Sequence, residues 1–200
     1  MRKLIAAINM TLDGFCDHTA VIPDEEIHRH YAELLSNGGA VLYGRITYQL
    51  MQFWQTLIKN PSGEKSMDDF AIAIDKIPKI VFSCSLQNTD WDSAKLSNKP
   101  LEEEVLELKQ HLGKDILVGS RSLIIQLMEL NLIDEFQLCI HPVIVGKGLP
   151  LFEKINGSMI LKLIKTKTFS GGAVNLYYEP INKKQRTANK VLGKAELTQN

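Results

Sequence analysis

Two hundred residues, 44% hydrophobic and 23% charged, describe one ordinary globular domain with enough chain to bury a sizeable core. Basic and acidic residues number 23 each, so the net charge is zero; this argues against a nucleic-acid binder whose affinity rests on neutralising phosphates. No apolar run reaches the length of a bilayer span, and Cys16, Cys84 and Cys139 lack the spacing of a disulfide framework or a metal motif. The expectation is a cytoplasmic protein with reduced thiols, no metal and no membrane or nucleic-acid partner.

The opening MRKLIAAINM is basic and then apolar, but Asn9, Thr11 and Asp13 cut the run too short for a signal core. Residues 4–10, apolar nearly throughout, instead suit a central strand buried on both faces. After a loop, Pro23-Asp24-Glu25-Glu26 opens a helix, because proline and acidic residues favour a first turn. Ile27, Tyr31, Leu34 and Leu35 then recur at helical spacing until Asn37-Gly38-Gly39 stops the helix. Residues 40–43 read as a second strand, followed by Gly44-Arg45 and an amphipathic helix through Trp54. Residues 59–66 read as a loop, 67–76 as a helix and 79–83 as a strand ending in Cys84-Ser85. A short strand near 92–96 precedes a helix opened by Pro100, with Leu101, Val105, Leu108 and Leu112 on one face. Residues 116–118 form another buried strand, 119–120 a turn and 121–131 a helix.

The last third changes character. Residues 135–145 read as a long strand, 146–148 as a turn, and 159–169 and 173–179 as a hairpin about Gly171-Gly172. Strand–helix units followed by antiparallel strands imply an α/β fold with a mixed, mostly parallel sheet over residues 1–181. From Asn182 onward the chain is polar and basic and reads as a tail, with one short helix around 187–197.

Three turns carry small or polar residues beyond strands: Gly44-Arg45, Ser83-Cys84-Ser85 and Gly119-Ser120-Arg121-Ser122. In open α/β sheets ligands bind beyond the carboxyl ends of strands. A helix start there offers unpaired N–H groups to a phosphate, and glycine lets the backbone come close. Each turn alone is better explained as ordinary turn chemistry and Arg45 as a surface charge, while Ser120 serves equally as an N-cap. Neither GxGxxG nor GxxxxGK[ST] is present.

The succession LIAAINMTLDG, VLYGRITY, KIVFS, DILVGSRSLIIQLMELNLIDEFQL and HPVIVGKGLPLF resembles the dihydrofolate reductase superfamily. It is most similar to the reductase domain of the bifunctional riboflavin-biosynthesis deaminase/reductase and its stand-alone relatives, over roughly residues 2–180. The resemblance implies a three-layer sandwich, NADPH as cofactor, and hydride transfer to a C=N or C=O bond of a small heterocycle, as in reduction of a phosphoribosylamino-uracil. It also implies a homodimer, for which the apolar stretch 136–140 is a candidate interface, though core burial explains that stretch as well.

Carried over by position, the backbone of Ala7 would meet the nicotinamide, and Gly44, Arg45 and Thr47 the phosphates. Ser83, Cys84 and Ser85 would lie by the 2′-phosphate, and Gly119, Ser120, Arg121, Ser122 and Leu123 would form a second phosphate turn. Asp13 and Gly14 would border nicotinamide and substrate, and Gly146 and Gly148 would shape the cleft rim. Asp13 is the candidate catalytic group; as a plain turn aspartate it would instead bond nearby backbone.

Two departures stand out. Relatives usually carry Gly-Gly where this chain has Gly119-Ser120. The helix carboxylate of folate reductases has no counterpart, its place falling near His28, so folate reduction is disfavoured. Dihydrofolate reduction stays as one alternative, and a dinucleotide-binding or regulatory module without catalysis is the alternative of a different class. The deaminase zinc motif HxE…PCxxC is missing, which leaves reductase activity alone. His18 reads as a loop residue, His28 and His30 as helix-surface residues, His141 as a packing residue and Glu102-Glu103-Glu104 as a solvated face. Phe53-Trp54 reads as closing a helix end onto the core, with lining of the pocket as the lesser alternative.

Overall fold

The computed structural model describes residues 1–153 and 157–181. The expected tail and its short helix lie outside the described residues. Eight strands form one sheet in the order β4-β3-β2-β5-β1-β6-β8-β7. Strands β1 (Leu4–Thr11), β2 (Ala40–Gly44), β3 (Lys79–Phe82), β4 (Ala94–Leu96), β5 (Ile116–Val118) and β6 (Glu135–His141) run parallel. Strands β7 (Leu161–Thr168) and β8 (Val174–Pro180) add an antiparallel hairpin at one edge. The expected α/β fold, with its mixed sheet and terminal hairpin, is the fold observed.

The unbroken apolar runs in β1, β2 and β5 are explained by the two layers that cover them. Alternate side chains point to opposite faces of a strand. Leu4, Ala6 and Ile8 therefore join a core beneath α4 (Leu101–Gln110) and α5 (Arg121–Glu129), with Val105, Ile124 and Leu127. Ile5, Val41, Tyr43 and Leu117 face the other layer, made by α1 (Glu25–Asn37), α2 (Arg45–Lys59) and α3 (Lys65–Lys76). Each fully buried Leu, Ile or Phe contributes about 1.5–3 kcal/mol relative to exposure. The central strands can thus be short and still hold the sheet together.

Local chemistry explains the element ends. The Asp24 carboxylate accepts from the Ile27 N–H and caps α1, with Glu25 and Glu26 in the first turn. Strand β6 stops at His141 and not at Val145, because Pro142 has no N–H to give to the ladder. Residues 142–149 then form a loop over the end of β1. Helix α4 stops at Gln110, so Leu112 is 99% exposed instead of continuing the apolar face. Helix α2 continues to Lys59, a turn beyond Trp54. Glu104 is buried, not solvated: it accepts a hydrogen bond from the Ser97 hydroxyl at 2.8 Å. The stretch 136–140 lies in β6 between β1 and β8, with Phe136 and Cys139 at 0% exposure, so its apolar residues serve the core and not a subunit interface.

Candidate functional site

Because β1 to β6 are parallel, the turns after β1, β2, β3, β5 and β6 all fall on one edge of the sheet. A cavity of about 640 Å³ opens at this edge on the α1–α2 face. Its floor is made by Ala7 and Asn9 of β1, by Tyr43 of β2, and by Val118 and Gly119 at the end of β5. Ile5, earlier on the same face of β1, packs with Leu35. Two residues on, Ala7 is too small to fill the space between the helices.

Helices α2 and α5 begin at the cavity. Neither start is capped by a side chain, and neither carries an acidic residue in its first turn. Helices α1, α3 and α4 each carry one or more acidic residues there. The first N–H groups of a helix have no intrahelical partner and carry partial positive charge. Two such starts at one sheet edge form a cradle suited to anionic groups. Space is tight at Gly44, where an added Cβ would lie 3.3 Å from the Ser122 hydroxyl.

Of the residues expected at the site, the structure brings Ala7, Thr47, Gly119, Arg121 and Ser122 to the cavity wall. Gly44, Ser120 and Leu123 lie just behind it, with Leu123 in the core. Ser120 occupies the N-cap position of α5 without capping it. Its hydroxyl is turned across the sheet and accepts from the Gly44 N–H at 2.9 Å. Arg45 is exposed and reaches Gln49. Ser83, Cys84 and Ser85 sit at the end of β3, outside the cavity lining. The Ser83 hydroxyl there accepts from the Ser85 and Leu86 N–H groups.

Asp13, Gly14, Gly146 and Gly148 are also outside the lining. Asp13 makes the bonds of a turn aspartate: it accepts from the Thr11 hydroxyl at 2.6 Å, from the Gly146 N–H at 2.7 Å and from the Val145 N–H. These bonds, that from Thr11 foremost, hold its carboxyl below the usual range. The carboxylate fastens the 142–149 loop to the end of β1.

The sequence reading missed much of the opposite wall. His28 and His30 are not surface residues. His28 lines the cavity, its ring edge-to-face with Trp54 at 5.5 Å, and Trp54 in turn packs on Phe70 at 4.5 Å. Burial lowers the His28 pKa, against the pull of Asp24. Trp54 packs against the core as expected and, with the half-exposed Phe53 beside it, also forms cavity wall, the lesser alternative. His30 is buried against Asn175 and Phe169. His141 packs as expected, its Nε2 3.1 Å from Asn9 Oδ1, which also accepts from the Tyr31 hydroxyl. Asn9 and Tyr31 thereby join the site as a held polar pair on the cavity floor. Cys16 lines the cavity as a protonated thiol, pushed up to about 12 by burial. Two signals pointed there: the spacing of His28, Tyr31 and Leu35, which puts them along one face of α1, and the resemblance, which set the substrate-facing place of that helix near His28.

The family described as RibD C-terminal domain matches residues 2–175. This chain belongs to the RibD C-terminal domain family. A relative, the uncharacterized protein YyaP of Bacillus subtilis (strain 168), is 36% identical over 185 residues, a match covering 88% of this chain and 94% of that protein. A pyrimidine reductase-like protein from Corynebacterium diphtheriae shares the fold with a TM-score of 0.60 and 15% identity, covering 91% of this chain and 93% of that one. RibD of Acinetobacter baumannii does so with a TM-score of 0.64 and 14% identity, covering 91% of this chain and 59% of that one. The fold described above is thus shared with solved structures of this kind. Among the described residues no helix is long and apolar enough to cross a membrane.

Proposed function

We propose that this RibD C-terminal domain is an NADPH-dependent reductase acting on a C=N or C=O bond of a small, flat substrate. The observation that carries the reading is the pair of helix starts, α2 and α5, uncapped by side chains and free of acidic residues, on either side of a cavity floored by Ala7 and Gly119. The residues fit a dinucleotide: the helix starts suit its phosphates, and Gly119 lets a ring approach β5 closely. Bound NADPH would supply a hydride equivalent. Thr47, Arg121 and Ser122 would hold its phosphates from the cavity wall, with Arg45 and Ser85 at the neighbouring strand ends toward the 2′-phosphate. Asn9, Tyr31 and His28 are the polar groups placed to orient the reducible bond of a substrate in the remaining space. Asp13 would act by positioning the loop that covers the end of β1.

The test is titration of the purified chain with NADPH and NADH, following nicotinamide fluorescence. Micromolar binding with a clear preference for NADPH is the expected result. Failure of either nucleotide to bind would leave the family fold put to another use.

A second reading, a dinucleotide-binding module that has lost catalysis, is favoured by one observation: the Ser120 hydroxyl already occupies the Gly44 N–H that a phosphate would otherwise meet. Tight NADPH binding with no oxidation across a panel of carbonyl, imine and pterin compounds would select it.

A further inference from the structure

We infer that His28 is the residue that gives a proton to the heteroatom of the bond being reduced. The inference rests on the reductase reading and deepens it, from orienting a substrate to completing its reduction. Reduction of a C=O or C=N bond needs a hydride for the carbon and a proton for the heteroatom. The proposed cofactor covers only the hydride, so a proton source has to face the same space. His28 stands on the face of α1 that lines the cavity, one turn before Tyr31. Its ring packs edge-to-face on Trp54 of α2 at 5.5 Å and lies 6.1 Å from Phe70 of α3. Packing of this kind fixes the orientation of the ring. Neither ring nitrogen is taken up by a hydrogen bond among the described residues, whereas the Nε2 of His141 is engaged with Asn9.

The surroundings balance the ring between opposing effects. Burial disfavours the imidazolium, and Asp24, one turn earlier on α1, favours it. The Asp24 carboxylate is held in place by the Ile27 N–H from which it accepts. Helices α2 and α3 meet the ring with Trp54 and Phe70 and put no charged side chain on the cavity lining. Across the space stand Asp17, which accepts from the Leu149 N–H, the exposed His18, and Arg121, which pairs with Glu153. Cys16, Tyr31 and Tyr43 hold their protons more tightly than usual because they are buried, which makes them poor acids at neutral pH. In the step itself the carbon gains the hydride and the π electron pair passes to the heteroatom. The new heteroatom–H bond forms as an N–H bond of the His28 imidazolium breaks. The ring is left neutral and recovers its proton from water, and NADP⁺ is the other product.

The test uses the full chain and para-nitrophenol, whose phenolate oxygen stands in for the charged oxygen of a carbonyl that has taken up hydride. Proton NMR follows the ring C–H resonances of the five histidines between about pH 5 and pH 8, with and without the phenol. The His28 resonance is identified by its loss in His28→Phe, which keeps a ring against Trp54 and removes the nitrogens; His28→Gln serves should that variant not fold. The His28 midpoint, below the ordinary 6.5 in the free protein, is expected to rise by about one pH unit in the complex as phenolate and imidazolium pair. His28→Phe is expected to bind the phenol about ten-fold more weakly and the uncharged para-nitroanisole equally well. With NADPH and para-nitrobenzaldehyde, wild-type kcat should fall as pH rises through the His28 midpoint. His28→Phe should lower kcat about 100-fold and lose that pH dependence, with KM little changed. An unmoved His28 midpoint, or equal binding of the phenol by the variant, would overturn the inference, as would undiminished kcat. Failure of NADPH to bind while the phenol still moves His28 would sink the reductase reading and the proton step with it. An unmoved midpoint in a protein that oxidises NADPH would sink the inference alone.

Discussion

Ser120 and Gly44, 76 residues apart, are joined by a buried hydrogen bond of 2.9 Å from the Gly44 N–H to the Ser120 hydroxyl. The bond ties the end of β5 to the end of β2 at the mouth of the cavity. The Ser120 hydroxyl thus joins two strand ends at the edge where the proposed function puts a phosphate. Ser120→Ala leaves a buried N–H without a partner and is expected to cost about 1–3 kcal/mol, read as a lowered denaturation midpoint. Ser120→Gly removes the hydroxyl and the Cβ together. It should also destabilise, but NADPH affinity should rise about three- to ten-fold as the Gly44 N–H becomes available. Unchanged affinity in the glycine variant would show that this N–H does not meet the cofactor.

Asp13 presents a different case, because its carboxylate is exposed and acts on backbone. It accepts from Val145 and Gly146, where Gly146 has φ +72°, and from the Thr11 hydroxyl. Asp13→Ala is expected to raise amide hydrogen exchange at Val145 and Gly146 while leaving exchange in β1 and β5 unchanged. A positioning role predicts altered KM with NADPH affinity preserved. If exchange stays at the wild-type level while turnover of an identified substrate is abolished, Asp13 acts on the substrate directly.

The buried His30 makes stability sensitive to acid. Desolvation, aided by Lys167, lowers its pKa to about 4 from the ordinary 6.5. Between these values the unfolded chain binds a proton that the folded chain refuses, so stability must fall as pH drops from 6.5 toward 4 and is fully present above that window. The loss is expected to be on the order of 2 kcal/mol. Urea denaturation at pH 7 and pH 4.5 should show it in the wild type, with a smaller difference in His30→Asn. An equal difference in both proteins would remove His30 as its source.

The homodimer implied by the family resemblance needs a surface other than β6. Strand β7 is the sheet edge, and Leu163 and Ile164 are 49% and 47% exposed there. Light scattering coupled to size exclusion is expected to give a dimer that becomes monomeric in a Leu163→Lys, Ile164→Glu variant. A wild-type monomer at the concentration used would remove the dimer from the account.

The strands, the helices and their parallel order were legible because each rests on local or periodic chemistry. The apolar runs of β1, β2 and β5, the Asp24 cap of α1 and the glycines that end elements all act within a few residues. The glycine-bearing turns after β2 and β5 could be placed at one sheet edge because parallel strands put all their carboxyl ends there. By itself, then, the amino-acid sequence determined the fold class, the family and the sheet edge at which the cavity opens. What it could not determine was which side chains meet across that edge. His28, Trp54 and Phe70 come from three helices and meet only because α1, α2 and α3 pack on one face of the sheet. Likewise Pro142 decided where β6 ends, but only the folded loop decided that the Asp13 carboxylate would clasp Val145 and Gly146. Ser120 reads as an N-cap because its neighbours in sequence form a helix start; its actual partner, Gly44, is a neighbour only in space. Periodicity reports the face a residue occupies, while the identity of what it touches is settled by the packing of elements far apart in the chain.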